Sequence, residues 1–118
     1  DEFLEIVYNY ADIIFANESE IKSLFFSYVL ESAIKECKNT KKIFAITLGE
    51  KGAKIIKNSE IVEINPEKIE NLVDTTGAGD LFAAGFLDSY LKGNNLFNCG
   101  TKGVNLASKI IQKYGARL

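Results

Sequence analysis

The chain contains no histidine, which removes Ser-His and Cys-His nucleophile systems and most zinc sites. Any chemistry must therefore run on carboxylates, lysines or backbone groups. Cysteine is scarce. Cys37 and Cys99 fall in separate helical-looking segments and form no C-x-x-C pair, so both read as buried free thiols. Proline occurs once, at Pro66, in a polar loop. No apolar run approaches the ~20 residues of a membrane span, and no signal-peptide pattern opens the sequence, so the cytoplasm is the expected compartment. A net charge of −2 without a basic stripe offers no dense positive field, which argues against nucleic acid and against an anionic membrane as partners.

What is present is 47% hydrophobic and 25% charged residues over 118 positions, enough to bury one core. The first residue is Asp1, already inside an amphipathic segment, and this suggests a fragment of a longer protein.

Helical and strand patterns alternate along the chain. DEFLEIVYNY spaces Phe3, Leu4, Val7 and Tyr8 on one helical face, and ADIIFA is a short β-rich run. NESEIKSLF and SYVLESAIKECKNT read as one broken helix or two consecutive ones, the second with Val29, Leu30, Ala33, Ile34 and Cys37 on a stripe. KIFAITL has the continuous apolar character of a strand covered on both faces. Gly49 and Gly52 bracket a turn, after which AKIIK and EIVEI are joined at Asn58 and Ser59 as an edge hairpin. LVD is a short strand leading into a glycine turn. A helix follows from about Gly79 to Leu91, with Gly93 as its C-cap, and a last one includes GVNLASKIIQKY with Val104, Ala107, Ile110 and Ile111 inward. Spacing assigns Phe82, Phe86, Leu87, Tyr90 and Leu91 to the core, and makes Ala83, Ala84 and Gly85 a small-residue surface for close packing. The fold class is α/β, a mostly parallel sheet flanked by helices with an edge hairpin.

The stretch DTTGAGDLFAAGF, Asp74 to Phe86, carries the chemistry. Gly77 and Gly79 let the backbone bend sharply, so the N–H groups of Ala78, Gly79 and Asp80 converge at a helix start with no intrahelical partner. With the positive end of the helix dipole they form a site for an anion such as phosphate. Asp80 then has two readings. It complements the dipole by ~0.3–1 kcal/mol behind an N-cap at Thr75 or Thr76. Alternatively it is a base beside an anion hole, suited to taking a proton from a hydroxyl that attacks phosphorus. Spacing alone leans to the first, because glycine-rich helix starts are common.

The same stretch resembles the C-terminal signature of the ribokinase family of carbohydrate and nucleoside kinases, also called the PfkB family. ANESE, through Asn17 and Glu20, resembles that family's N-x-x-E motif, and ITLGEKGA, Ile46 to Ala53, resembles the strand and glycine turn that line its nucleotide. The ending GVNLASKIIQKYGARL is most like the adenosine-kinase-like branch.

The resemblance implies a ribokinase-like fold in which residues 1–118 are the C-terminal, nucleotide-binding and catalytic part of a single domain. It implies ATP-dependent phosphoryl transfer to a hydroxyl of a sugar or nucleoside, with Asp80 as general base and Gly77, Ala78 and Gly79 as the anion hole for the γ-phosphoryl group. Asn17 and Glu20 would act near Mg²⁺ and the phosphates through ordered water; spacing alone leans to a capping box for both residues, and the two roles can coexist. Thr47, Gly49 and Gly52 would border ribose and phosphates, where a simple turn is the alternative. Asn105 matches a position near the adenine, and an exposed helical asparagine explains it as well. Asp74 and Thr76 match positions of a monovalent-cation site, K⁺ for example, against plain turn chemistry. The acceptor pocket would lie in a missing N-terminal half of the same protein, so the identity of the sugar or nucleoside is not encoded here, and a homodimer is left open. The alternative function is a catalytically inactive nucleotide-binding or structural module of the same fold. A dinucleotide oxidoreductase is disfavoured, since no G-x-G-x-x-G precedes an acid about 20 residues on.

Overall fold

In the computed structural model residues 12–66 and 78–117 are described, 109–117 by their backbone alone. The apolar run after Asp12 forms strand β1 (Ile13–Asn17), which passes directly into helix α1 (Glu18–Leu24). Helix α2 (Leu30–Lys38) follows, so the two-helix reading holds. Strand β2 (Ile43–Thr47), a 3₁₀ turn at Gly49–Lys51, and strands β3 (Ala53–Lys57) and β4 (Glu60–Ile64) come next. Helices α3 (Ala78–Leu91) and α4 (Leu96–Arg117) close the described chain. The patterns in residues 1–10 and in LVD lie outside the described residues.

The described strands form one sheet in the order β1-β2-β3-β4. β1 and β2 run parallel, with Ile13 opposite Ile43 and Asn17 opposite Thr47. β3 is antiparallel to β2 and β4 antiparallel to β3. Among the described residues the sheet is therefore not mostly parallel, in contrast to the sequence expectation. The cause is connection length: residues 48–52 join β2 to β3 and Asn58–Ser59 join β3 to β4, whereas a parallel crossover needs roughly a dozen residues or more. The edge hairpin is where the sequence places it.

The register gives the sheet two ends. Asn17, Thr47, Ala53 and Ile64 stand at one, the head; Ile13, Ile43, Lys57 and Glu60 stand at the other, the foot. Alternate residues face opposite layers. Ile14, Ala16, Phe44, Ile46 and Ile56 pack with Ile21, Ala33, Ile34 and Cys37 of α1 and α2. Ile43, Ala45, Ile55 and Ile64 pack with Phe82, Phe86 and Cys99 of α3 and α4. Coverage on both faces is why β2 reads as an unbroken apolar run.

Two helix stripes differ from expectation. Val29 is the N-cap of α2 and is 52% exposed, because the helix begins one residue later than its apolar stripe. On α3 the buried line is Phe82, Gly85, Phe86 and Ser89. Leu87 and Tyr90 are 37% and 38% exposed and Leu91 is 82% exposed, so they stand outside the core formed by the described layers. Val104 and Ala107 do pack inward; the side chains of Ile110 and Ile111 lie outside the described residues. Gly85 meets α4 as anticipated: a Cβ there would stand 2.9 Å from the Lys102 carbonyl oxygen. Its counterpart, Gly103, would place a Cβ 2.8 Å from both the Phe82 ring and the Phe82 carbonyl oxygen.

Both cysteines are buried and free. Loss of water around Cys37 pushes its thiol from 9.0 up to about 12. Above pH ~9 the unfolded chain then releases a proton that the folded chain keeps, so stability falls as pH rises from about 9 towards about 12 and is untouched below that window. Urea midpoints at about pH 8 and about pH 10.5 are expected to differ less in Cys37→Ala than in the parent. Equal drops in both proteins would refute the assignment. In the folded state the thiol should also resist alkylation at neutral pH.

Candidate functional site

Asn17 ends β1 and caps α1. Its backbone N–H donates to Glu20 Oε1 at 2.9 Å, and the Glu20 N–H donates to Asn17 Oδ1 at 2.8 Å. The capping-box reading of these two residues is thus realised in full. Both side chains remain exposed, and the box leaves Glu20 Oε2 over for a further contact.

Thr47 stands directly beside Asn17 at the head of the sheet, half-buried. The turn that follows is held by Leu48 N–H donating to the Gly52 carbonyl at 2.8 Å and Lys51 N–H donating to the Leu48 carbonyl at 3.1 Å. Its two glycines differ. Gly49 has φ +60° and open space where a Cβ would be. Gly52 has φ +90°, and a Cβ there would run into the Ile64 carbonyl oxygen and stand 2.9 Å from the Pro66 nitrogen. Gly49 therefore faces outward over the head, whereas Gly52 closes the turn against the end of β4.

The orientation of α3 follows from its far end. At the foot, Lys57, Asn58 and Glu60 of the hairpin line a cleft together with Tyr90, Asn94 and Leu96. α3 lies along β1, with the Phe15 ring 6.3 Å from Phe82 and 5.4 Å from Phe86. Its 14 residues span about 20 Å at ~1.5 Å per residue, more than the length of a strand. With its C-terminus at the foot, its first turn points to the head, where Asn17, Thr47 and Gly49 are. Ala78 opens the helix, Gly79 has open space at its Cβ position, and Asp80 is an exposed acid of the first turn. α4 returns the other way. Leu96 lies at the foot, Gly100 packs on Ile64 and Ile55, and Gly103 packs on Phe82, so Asn105 lies towards the head.

Asn17 and Thr47 stand side by side at the head, Glu20 and Gly49 follow them directly in the chain, and the first turn of α3 with Ala78, Gly79 and Asp80, together with Asn105 of α4, lies towards the same end. Gly52 is adjacent but turned into β4. Asp74, Thr76 and Gly77 lie outside the described residues. Sequence reasoning missed Gly100 and Gly103, which seat α4 and so set the height of α3; their signal was two glycines at i, i+3 on an otherwise apolar helical face. Among the described residues no group of three or more His, Cys, Asp and Glu side chains could hold a metal ion, and no helix is long and apolar enough to cross a membrane.

The carboxyl ends of parallel strands, an open glycine turn and a helix N-terminus at one edge are the arrangement by which α/β sheets hold phosphorylated ligands. Residues 1–118 match the pfkB family of carbohydrate kinases, and the chain belongs to that family. An uncharacterized sugar kinase from Archaeoglobus fulgidus is 40% identical over 114 residues, covering 97% of this chain and 45% of its own length. The crystal structure of adenosine kinase from Sinorhizobium meliloti superposes with a TM-score of 0.86 at 38% identity, over 94% of this chain and 34% of that one. Ribokinase from Arabidopsis thaliana, solved with ribose and ATP, gives a TM-score of 0.75 at 27% identity, over 86% of this chain and 35% of that one. The fold is ribokinase-like, and the chain spans less than half the length of these relatives.

Proposed function

We propose that this chain is the nucleotide-binding and catalytic part of a kinase that moves the γ-phosphoryl group of ATP to a hydroxyl of a sugar or nucleoside. The observation that carries the proposal is Asp80: an exposed acid in the first turn of α3, at the sheet edge shared by Asn17, Thr47 and Gly49. An acid placed beside helix N–H donors suits a reaction in which a proton leaves as negative charge is held.

In this reading the Asp80 carboxylate takes the acceptor hydroxyl proton as the oxygen attacks the γ-phosphorus and ADP departs. The N–H groups of Gly77, Ala78 and Gly79 hold the equatorial oxygens of the transferring group, where positioning and charge stabilisation do most of the work. Thr47 and Gly49 border the ribose and phosphates, and Gly49 is the turn glycine with room beside it. Asn105 lies on the helix that reaches the adenine end. Mg²⁺ would supply positive charge for the triphosphate, and Glu20, whose Oε2 the capping box leaves over, would hold it through its hydration shell. Asp74 and Thr76 are assigned to a monovalent cation such as K⁺ on the family pattern alone. That the Arabidopsis ribokinase was solved with ribose and ATP supports the choice of donor.

Calorimetry of ATP–Mg²⁺ with the complete kinase, followed by a panel of sugars and nucleosides, tests the reading. Binding with turnover on one acceptor is expected. Binding without turnover on any acceptor favours an inactive module, and no binding removes the proposal. The 118-residue chain alone is expected to show no useful turnover, because the acceptor side is not in it.

A further inference from the structure

Helices α3 and α4 touch main chain to main chain, and a glycine on each allows it. Gly85 meets the Lys102 carbonyl oxygen and the backbone of Gly103. Gly103 meets Phe82: a Cβ there would stand 2.8 Å from the Phe82 carbonyl oxygen, 2.8 Å from Cδ2 and 3.0 Å from Cε2 of the ring, closer than non-bonded atoms pack. Phe82 has little freedom to give way. It is 2% exposed, with the Phe15 ring of β1 6.3 Å away in an edge contact and the Phe86 ring 6.1 Å away. Its carbonyl belongs to the α3 backbone, where it accepts from the N–H four residues on, so it moves only with that part of the helix. α4 is held from its other side, since Gly100 lies against Ile64 and Ile55 of the sheet and Cys99 is buried in the same cluster. The start of α3 is not held in this way. Phe82 is the first buried residue of that helix; Gly79 and Asp80 before it are exposed, and Gly79 has open space at its Cβ position. The place of the first turn is therefore set from Phe82, two residues and about 3 Å of helix rise from Asp80.

We propose that Gly103 is a positioning residue for the phosphoryl transfer described above. Having no side chain, it lets Phe82 seat between Phe15 and the α4 backbone, and that seat fixes where the first turn of α3, with the Asp80 carboxylate, stands relative to the sheet head. This rests on reading Asp80 as the base. Gly103 acts through Phe82 rather than on the reacting atoms. A methyl group at 103 would have the sheet-bound α4 behind it and the exposed first turn of α3 ahead of it, so the first turn is the part that yields. Proton transfer tolerates little displacement: about 1 Å at a reacting group costs on the order of 10²-fold in rate. The nucleotide contacts proposed at Thr47 and Gly49 stand on β2 and the turn after it, which this shift leaves in place.

The test uses the complete kinase. Gly103→Ala is expected to lower kcat by about tenfold or more while ATP affinity changes by less than about threefold. A double-mutant cycle with Asp80→Asn separates positioning from general damage. Once Asp80 is asparagine, Gly103→Ala is expected to cost only about twofold or less, because the group it misplaces is already gone; a merely structural loss would instead repeat in full in both backgrounds and overturn the proposal. A crystal structure of Gly103→Ala supplies a readout independent of activity. Superposed on β1, β2 and β3, it should show the first turn of α3 displaced by about 0.5 Å or more with α4 in place, as overpacking shifts whatever is least held. An unmoved first turn would also overturn the proposal. Should Gly103→Ala not fold, Phe82→Leu loosens the same seat without adding an atom and is expected to give the same split between kcat and ATP affinity and the same dependence on Asp80. If Asp80→Asn alone leaves kcat intact, the base reading falls, and the position of the first turn in the crystal still decides what Gly103 does.

Discussion

Replacing Asp80 with asparagine in the complete kinase is expected to lower kcat by about 10²- to 10⁴-fold while leaving ATP affinity nearly unchanged. The asymmetry follows from where Asp80 sits. It lies exposed in the first turn of α3, while the donors proposed to hold phosphate are backbone groups that the substitution leaves in place. Asparagine keeps the shape and can still accept a hydrogen bond, yet it cannot take a proton. Asp88→Asn is the matched control. Asp88 is on the same helix but paired with Lys92 at 3.1 Å, close to the foot, so its loss should leave kcat where it was. A kcat that survives Asp80→Asn would remove Asp80 as the base, and equal losses in both variants would point to a general charge effect.

The second large effect concerns stability. Gly52→Ala is expected to destabilise the chain by about 3 kcal/mol, combining backbone strain of ~1–3 kcal/mol with overpacking of ~1–3 kcal/mol. Gly52 has φ 90° and ψ −129°, a conformation closed to side-chain-bearing residues, and the added methyl group would collide with a main-chain oxygen of β4 that cannot rotate away. Gly49→Ala should cost only about 1 kcal/mol, since φ +60° is a mild left-handed conformation and nothing stands in the way. Urea unfolding of both variants decides the matter. The two glycines trade places in a nucleotide titration of the complete kinase: Gly49→Ala, facing the head, should weaken ATP binding at little cost in stability. Similar stability losses in the two variants would mean that the turn acts as one unit.

The order of elements was readable because local signals agreed with one another: the period-2 hairpin around Asn58, the continuous apolar β2, and Asn17 with Glu20 as a capping pair. Strand direction was harder to read. A buried strand looks the same whether its neighbours run parallel or antiparallel, and only the short connections on either side of β3 reveal the answer. The core-facing side of α3 was also misjudged at Leu87, Tyr90 and Leu91. Helical spacing identifies apolar positions, but a helix apolar on several sides does not say which side meets the described layers. At the candidate site, motif spacing named the residues, and the sheet register brings Asn17 and Thr47, thirty positions apart, side by side. Spacing could not separate Gly49 from Gly52, because the difference lies in what stands opposite each: open space in one case and the backbone of β4 in the other.

The two-ended sheet also has a practical use. The hairpin tip at Asn58–Ser59, where Asn58 has φ 56° in an exposed turn, stands a full strand length, about 15 Å, from the head. It is therefore the natural handle of the molecule: a fluorophore, a surface tether or an inserted peptide placed there would stand clear of the end where nucleotide capture is proposed.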